Sequence, residues 1–376
     1  MTGSDPPAGR AHRIALVIFR LEPAGGLEQH CLRLARILAE RGAAVTLVTT
    51  RAPAKRPDGV GLELIPARGR SNHGRLAAFA ADAARAIAGR FDRSVAFHAI
   101  PGFDAIFCAD PSRGAPTALR ALLPRYRTYA ELERTALAPG GVAQVLTLSS
   151  AQRAAFLANH AVPPDRLALL PPTVDARRAR RAPNPAARAA ARTALDLPDD
   201  APVWLWIGLQ PKTKGLDRAL AALAAIPAAR LVVSGLDPKG AAGAAMARLA
   251  GRLGVAGRVT WLGFASEAQL DQAMAAADLL VHPSRADVTG TVILEAMANG
   301  LPVVTTAVCG YGEHVVMARA GVVLAEPFRA AALTEALRAA TPETLARWSA
   351  AASAYASDPA LYSGLGAAAD LILAGR

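Results

Sequence analysis

Residues 13–50, RIALVIFRLEPAGGLEQHCLRLARILAERGAAVTLVTT, have the pattern of a strand, a glycine-containing loop, a helix and a second strand. The apolar residues of the helix recur at steps of three and four and share one face: Leu27, Cys31, Leu34, Ala35 and Leu38. Gly42 suits the cap at the helix C-terminus, and a new apolar run follows it. The segment is thus a βαβ unit, which predicts two parallel strands joined by a helix that packs on the sheet.

The same order of elements returns in the second half of the chain. Residues 201–209 form an apolar run, 210–215 a polar loop and 216–227 an alanine-rich helical stretch, and 229–236 form another apolar run. The intervening segment 171–200 is rich in proline and arginine, which is typical of a solvated connection between domains. We therefore expect an α/β protein with two facing Rossmann-like domains and a ligand in the cleft between them, at the carboxyl ends of the strands.

The expected domain boundaries follow from this pattern. A first domain covers residues 1–172 and a second domain covers residues 173–355. Residues 356–376 form a C-terminal helix, and packing back on the first domain is one of two arrangements that its periodicity leaves open.

Composition narrows the class of protein. The chain has 376 residues, 52% of them hydrophobic, which is enough for two domain cores. Its net charge of +12 favours phosphates, nucleic acid or an anionic membrane surface as partners, without choosing among them. Cys31, Cys108 and Cys309 show neither a disulfide pattern nor zinc-site spacing. Since we find no apolar signal core and no stretch of membrane-spanning length, we expect a soluble or peripheral protein of the cytoplasm.

The stretch HPSRADVTGTVILEAMANG contains two carboxylates, Asp287 and Glu295, with seven residues between them. It predicts a strand, a loop and a helix start, where the N–H groups at Gly290, Thr291 and Val292 would seat a phosphate without a metal ion. Glu295 suits the paired hydroxyls of a ribose, and Asp287 would face another part of the same ligand. The alternative is structural, with Asp287 capping the loop and Glu295 solvated on the helix.

A second sequence feature typical of a phosphate-binding site follows the apolar run of residues 203–209. Lys214, followed by Gly215, lies in the next loop, where its ammonium would reach a pyrophosphate, with Lys212 nearby. The alternative for this Lys-Gly pair is an exposed turn. Gly25-Gly26 does not fit the G-x-G-x-x-G fingerprint, which disfavours a nicotinamide cofactor. Since no metal-binding motif is recognisable, we expect lysine, arginine and backbone amides, and neither metal nor cofactor, to supply the positive charge.

The chain resembles the retaining, nucleotide-sugar-dependent glycosyltransferases of family 4, which have the GT-B fold. The family's E-x7-E motif corresponds to Asp287-x7-Glu295, and stretches such as KGLDRALAAL and AAADLLVHP run in the family's order. A narrower resemblance, to the lipopolysaccharide core glucosyltransferase I group, is carried by RYRTYAELER and GLPVVTTAVCGYGEHV.

The resemblance implies that a hexose, with glucose expected, moves from a UDP-sugar to a lipid-linked inner-core heptose of lipopolysaccharide. It places the reaction at the cytoplasmic face of the membrane. It also implies retention through same-face attack, in which the departing phosphate oxygen accepts the proton of the acceptor hydroxyl. In the donor site, Lys214 would bind the diphosphate, Glu295 the ribose and Asp287 the transferred sugar.

Further site residues are implied by the same resemblance: Arg178 and Lys212 at the phosphates, Phe264 near the uracil, Gly26 facing the donor from the first domain, and His98 and Asp104 on the acceptor side. Two positions depart from the family pattern. Asp287 is one methylene shorter than the family's glutamate. Thr213 stands where the family has an arginine before Lys214, so Lys212 would supply the second charge without a bidentate fork.

Residues 112–134 carry five arginines and two glutamates, with Tyr126 and Tyr129 among apolar residues. Tyrosine rings and arginine heads suit the headgroup zone of a membrane, so we expect an anionic membrane surface as a partner. The alternative is an ordinary amphipathic helix that covers the first domain.

Two other classes of function stay open. One is another UDP-sugar enzyme of the same fold, with a different donor or acceptor, or an epimerase or phosphorylase. The other is a nucleic-acid-binding protein, suggested by the net charge of +12. Because no recognition helix or aromatic strand motif accompanies that charge, we expect no nucleic-acid partner.

Overall fold

The computed structural model describes residues 11–21, 25–53, 55–115, 117–179 and 184–375. The chain divides into two compact parts: a first unit of residues 1–173 and 363–376, and a second unit of residues 174–362. The structure therefore ends the first long segment at 173, where we expected 172, and the second at 362, where we expected 355.

Among its described residues, the first unit has seven strands: β1 (Arg13–Val17), β2 (Ala44–Thr49), β3 (Gly61–Leu64), β4 (Arg93–Ala96), β5 (Ala105–Phe107), β6 (Gln144–Thr147) and β7 (Leu167–Leu169). They form one parallel sheet in the order β3-β2-β1-β4-β5-β6-β7. The α-helices described between these strands are α1 (Gly26–Glu40), α2 (Asn72–Ile87), α3 (Ala118–Ala121), α4 (Pro124–Leu137) and α5 (Ser150–Asn159).

The predicted βαβ unit is formed by β1, α1 and β2, and Ile14 of β1 pairs in parallel with Val45 of β2. The apolar face of α1 is buried in the core on one side of the sheet: Cys31, Leu34, Ala35 and Leu38 are fully buried, and Leu27 is partly buried. A second apolar core of the same unit contains residues from α2 and α5, among them Phe79 and Phe156. Burial of this sheet on both faces explains why its strands are nearly continuous in apolar residues.

In the part of the second unit that the structure describes, there are six strands: β8 (Val203–Ile207), β9 (Arg230–Ser234), β10 (Val259–Trp261), β11 (Leu279–His282), β12 (Val303–Thr306) and β13 (Gly321–Leu324). All pair in parallel, in the order β10-β9-β8-β11-β12-β13. The helices are α6 (Pro185–Ala194), α7 (Leu216–Ala225), α8 (Ala241–Arg252), α9 (Glu267–Ala276), α10 (Thr291–Met297), α11 (Gly312–Ala318), α12 (Ala330–Arg338) and α13 (Pro342–Tyr355). The strand order reverses between β8 and β11, which is where sheets of this type bind ligands.

The arginine-rich segment that we interpreted as a solvated connection contains a buried anchor. The Arg192 side chain is fully buried and donates to the Asp278 carboxylate at 2.7 Å. It also donates to four main-chain carbonyls: those of Pro198, Asp199, Ala201 and Ala276. The solvated interpretation is therefore wrong for Arg192, while Arg180 and Arg181 lie outside the described residues.

The last helix, α14 (Gly364–Ala374), belongs to the first unit and packs on α1. Its buried side chains join the core that contains Leu34 and Leu38: Leu365, Ala368, Ala369 and Ile372. An ion pair of 2.6 Å between Arg41 and Asp370 lies beside this contact.

Within the described ranges, we find no helix whose length and hydropathy would let it cross a lipid bilayer.

Candidate functional site

Two loops of the second unit meet at the point where the strand order reverses. One follows β8 and runs to Gly215, and the other follows β11 and runs to Gly290. Arg285 ties them together: its N–H donates to the Thr213 carbonyl at 2.7 Å, and its guanidinium pairs with Asp217 of α7 at 2.7 Å. Gly215 has φ +74°, and a Cβ there would lie 2.0 Å from the Pro283 carbonyl oxygen, so only glycine allows this approach.

This contact brings Lys214 and Asp287 together, as the sequence predicted for one site. The Lys214 Nζ atom lies 2.6 Å from Asp287 Oδ2, and His282 Nε2 lies 3.0 Å from the same oxygen. Burial alone would raise the pKa of the Asp287 carboxyl, but its contacts with His282 and Lys214 lower that pKa to about 2. Asp287 is therefore ionised at neutral pH and compensates the ammonium charge.

The other carboxylate of the motif is held by an arginine. Arg178 Nη1 lies 3.2 and 3.1 Å from Glu295 Oε1 and Oε2, and Asn299 donates to the main-chain carbonyls of both residues at 2.8 Å. The Glu295 side chain is 11% exposed, which rules out the alternative of a solvated helix residue. For Asp287 the capping alternative is correct in part, because Asp287 Oδ1 accepts the Gly290 N–H at 3.0 Å.

The start of α10 differs from the expected row of three phosphate-facing amides. Gly290 has φ +75°, in the left-handed region, but its N–H is donated to Asp287. The Thr291 hydroxyl lies 3.3 Å from that of Thr289, and Val292 packs partly against the core of the unit. The Gly290 amide is thus used to shape the loop.

The remaining residues that were predicted for the donor site lie at the same edge of the second sheet. Phe264 follows β10 and is 71% exposed, and the adjoining Gly263 carbonyl accepts the N–H of Gly235, just after β9. Lys212 is exposed on the β8 loop. Following the strand order, the edge therefore presents an aromatic ring, then lysine ammonium groups, then the two carboxylates of the motif.

The acceptor-side candidates lie in the first unit, where the structure separates them. His98 follows β4 at the carboxyl edge of the sheet, and its Nδ1 lies 3.4 Å from Asp110 Oδ2. Asp104 precedes β5 at the opposite edge, and its carboxylate accepts the Ser94 N–H and hydroxyl at 2.7 and 2.6 Å. The two acceptor-side candidates therefore lie at opposite edges of the sheet, and the Asp104 carboxylate caps the connection between two strands.

A cavity of about 390 Å³ surrounds His98 within the first unit. Arg20, Asp110, Arg113 and Tyr129 contribute to its lining, which gives it both charged groups and an aromatic face. Gly26 lies in the first turn of α1, and a Cβ there would meet no atom within 4 Å. The space around Gly26 is open, so this position does not require glycine for packing within the unit.

The basic segment 112–134 forms α3 and α4, with Pro116 outside the described residues. Its most exposed apolar side chains are leucines: Leu119 (78%), Leu122 (74%) and Leu123 (51%). The tyrosines lie instead under arginine side chains, with Arg125 4.8 Å from the Tyr126 ring and Arg113 4.6 Å from the Tyr129 ring.

Sequence reasoning missed His282, Arg285 and Asp110. His282 ends the strand before the carboxylate motif, and this position in the sequence indicates that it lies near the motif. Nothing in the sequence links Arg285 to Asp217 or Asp110 to His98. Among the described residues, His282, Asp287 and Cys309 have potential metal-ligand atoms within 4.8 Å of one another. The Lys214 ammonium already contacts the carboxylate of that group at 2.6 Å.

The chain resembles known proteins in both sequence and fold. Residues 187–354 match the family described as Glycosyl transferases group 1, and residues 24–178 match Glycosyltransferase Family 4. The chain is 34% identical to the lipopolysaccharide glucosyltransferase WaaG of Escherichia coli K12, over 96% of this chain and 99% of that protein. A crystal structure of WaaG, a glycosyltransferase involved in lipopolysaccharide biosynthesis, has a TM-score of 0.86 at 32% identity and covers 96% of this chain and 99% of its own.

A more distant structure, Anabaena HepE in complex with UDP-glucose, has a TM-score of 0.73 at 17% identity and covers 97% of this chain and 100% of its own. At that identity the likeness concerns the fold alone. Together with WaaG, it confirms the expected α/β class and the GT-B fold with two Rossmann-like domains. The chain belongs to glycosyltransferase family 4, and it is a glycosyltransferase.

Proposed function

We propose that this enzyme transfers glucose, with retention of configuration, from UDP-glucose to an inner-core heptose of lipopolysaccharide at the cytoplasmic face of the membrane. The proposal is supported by the 34% identity to the Escherichia coli lipopolysaccharide glucosyltransferase, which extends over 96% of the chain. The observation that carries the site assignment is that both carboxylates of the motif are held by basic side chains of the second unit, Asp287 by Lys214 and Glu295 by Arg178.

In the proposed donor site, the ribose hydroxyls donate to Glu295, and Arg178 fixes that carboxylate. Among the described residues, Arg178 contacts Glu295 through Nη1 and is 35% exposed, and we assign its other N–H groups to a phosphate. Phe264 provides an exposed ring for the uracil. Asp287 receives a hydroxyl of the transferred sugar.

The proposed chemistry follows from the development of charge. As the bond from the anomeric carbon to UDP breaks, negative charge grows on the β-phosphate. Lys214, together with Lys212, supplies positive charge at the β-phosphate without a metal ion or other cofactor. This fixed charge lowers the activation barrier of the transfer. Retention results if the acceptor hydroxyl attacks the face that UDP leaves and gives its proton to the departing phosphate oxygen.

For the acceptor, we propose that His98 and its surrounding cavity bind the receiving sugar, while α3 and α4 rest on the membrane that carries it. The three exposed leucines suit insertion below the headgroups, and Arg120, Arg125 and Arg127 suit anionic lipid phosphates. A lipid-linked acceptor would then be met at the surface in which it is anchored.

A donor screen tests the proposal. The purified enzyme is incubated with UDP-, GDP- and ADP-sugars and a defined heptose-containing core oligosaccharide, and products are detected by mass. We expect a gain of one hexose from UDP-glucose, with the α-anomeric configuration retained by NMR and the rate unchanged by EDTA. Transfer from another donor would replace glucose or UDP in the proposal, and donor conversion without transfer would indicate an epimerase or a phosphorylase. Loss of activity in EDTA with recovery in magnesium would refute the metal-independent mechanism.

A further inference from the structure

We propose that His282 is a positioning residue that sets the place of the Lys214 ammonium through the carboxylate of Asp287. The inference rests on the donor site proposed above and adds to it a residue that does not touch the donor.

The three side chains form a short chain of contacts. His282 ends β11, its side chain is 1% exposed, and its Nε2 lies 3.0 Å from Asp287 Oδ2. The same oxygen lies 2.6 Å from Lys214 Nζ. The other oxygen, Oδ1, accepts the Gly290 N–H at 3.0 Å. Asp287 thus joins the end of β11, the β8 loop and the start of α10.

The acceptor capacity of Asp287 is almost filled. An ionised carboxylate offers about four lone-pair sites. Lys214, His282 and Gly290 use three of them, which leaves one for a sugar hydroxyl. Because an ionised carboxylate only accepts, His282 has to carry a proton on Nε2 to make this bond.

The surroundings of His282 hold its side chain in place and leave Asp287 as the charged partner of its Nε2 atom. Ser284 Oγ lies 3.0 Å from Nε2, and the Thr305 hydroxyl donates to the His282 carbonyl at 2.9 Å, so the residue is held without any ligand. The buried Nδ1 has no hydrogen-bond partner among the residues that the structure describes. An apolar ring would fill this space without such a cost, so packing alone does not account for an imidazole here.

The role of His282 follows from what its removal would release. Without the Nε2–H donor, Asp287 keeps the Lys214 and Gly290 contacts but loses the hydrogen bond that fixes its carboxylate on the His282 side, so the carboxylate is free to turn. The ammonium would turn with it, because the two groups are only 2.6 Å apart. A displaced ammonium still attracts UDP, but it no longer meets the charge that develops on the departing phosphate oxygen, so the chemical step is affected more than binding.

The test compares His282→Leu with His282→Gln, whose amide N–H reaches about as far as Nε2. Steady-state transfer from UDP-glucose gives kcat, calorimetric titration gives the Kd of UDP, and thermal unfolding reports folding. For His282→Leu we expect a loss of kcat of about 10- to 100-fold with a change in Kd below about threefold. His282→Gln should recover kcat to within about fivefold of the wild type.

His314→Leu is the matched control, because it removes a second histidine of the same unit, one that is partly buried and bonded to Tyr355 at 2.7 Å. It should leave kcat and the Kd of UDP unchanged. Wild-type kcat in His282→Leu, or a folded His282→Gln as slow as His282→Leu, would overturn the inference. Should His282→Leu fail to fold, His282→Asn, whose N–H stops short of Asp287, replaces it and must be slower than His282→Gln. A wild-type enzyme that does not bind UDP would refute the proposed function itself.

Discussion

Arg178 Nη1 lies 3.1 and 3.2 Å from the two carboxylate oxygens of Glu295, although 117 residues separate the two in sequence. The Glu295 carboxylate on α10 is thereby held in one orientation. A ribose with two adjacent hydroxyls would meet a fixed pair of acceptors.

For Glu295→Gln we expect the affinity for UDP to fall about tenfold, because a neutral amide accepts hydrogen bonds more weakly than a carboxylate and also loses its charge pairing with Arg178. Calorimetric titration with UDP measures the change. Glu335→Gln, which alters an exposed carboxylate on α12, is the control and should bind like the wild type. Equal affinities in both variants would contradict the ribose assignment.

The stability of the second unit should depend on pH because of the carboxyl group of Asp287. Its pKa of about 2 lies below the ordinary 3.8, so folding favours the ionised form. This contributes about 2 kcal/mol above pH ~4, and the contribution is lost as the pH falls from about 4 to about 2. Urea unfolding of the wild type and Asp287→Asn should therefore show a difference that narrows by about 1 kcal/mol between pH 7 and pH 3. A gap that stays constant over this range would contradict the pairing.

Two arginines on α6 bond the same carboxylate but should differ in their effect on stability. Arg192→Ala leaves Asp278 without its buried partner and several carbonyls without a donor, and we expect a loss of about 3–5 kcal/mol. Arg188 also pairs with Asp278 but is 42% exposed, and Arg188→Ala should cost less than about 1 kcal/mol. Urea and thermal unfolding provide the comparison, and equal losses would show that burial of Arg192 is not decisive.

Membrane binding should depend on leucines as well as arginines. Replacing Leu119, Leu122 and Leu123 with serine should remove sedimentation with vesicles at high salt, where apolar insertion remains after charges are screened. Replacing Arg120, Arg125 and Arg127 with alanine should remove the preference for anionic vesicles. Leu64→Ser changes another exposed leucine (54%) and should sediment like the wild type. Unaltered binding of both triple variants would exclude this segment as the membrane contact.

Substitutions of the two acceptor-side candidates, His98 and Asp104, should differ in their effect on the acceptor KM. His98→Gln disturbs the side chain in the cavity and should raise the acceptor KM about tenfold, with the donor KM unchanged. Asp104→Asn weakens a strand connection and should lower thermal stability by about 1 kcal/mol without altering the acceptor KM. If Asp104→Asn alone changed the acceptor KM, the structural assignment of Asp104 would be wrong.

Much of the fold could be predicted because periodicity and local chemistry act over short distances. The βαβ pattern of residues 13–50 and its return after residue 201 indicated two parallel sheets, which the structure has. Strand–loop–helix order also placed Lys214 and Asp287 at strand ends, and adjacency of β8 and β11 then brought them within 2.6 Å.

The rest depended on contacts that a single sequence does not contain. Arg178 and Arg192 look alike in an arginine-rich run, yet one binds Glu295 and the other is buried against Asp278. Asp104 lies between β4 and β5 in the sequence, and it directly precedes β5. It therefore lies at the edge of the sheet where β5 begins, and the sequence alone did not show this. Composition indicated the tyrosines of segment 112–134 as membrane contacts, whereas the structure shows that the leucines are its most exposed apolar side chains.

The return of α14 to the first unit has a consequence for the order in which the protein is made. During synthesis on the ribosome, residues 174–362 emerge as an uninterrupted stretch, whereas the first unit lacks Leu365, Ala368, Ala369 and Ile372 until the whole of the second unit has been made. The unit encoded second is therefore the one that can finish its core first, and a nascent chain stalled before residue 363 would carry an uncovered apolar face on α1.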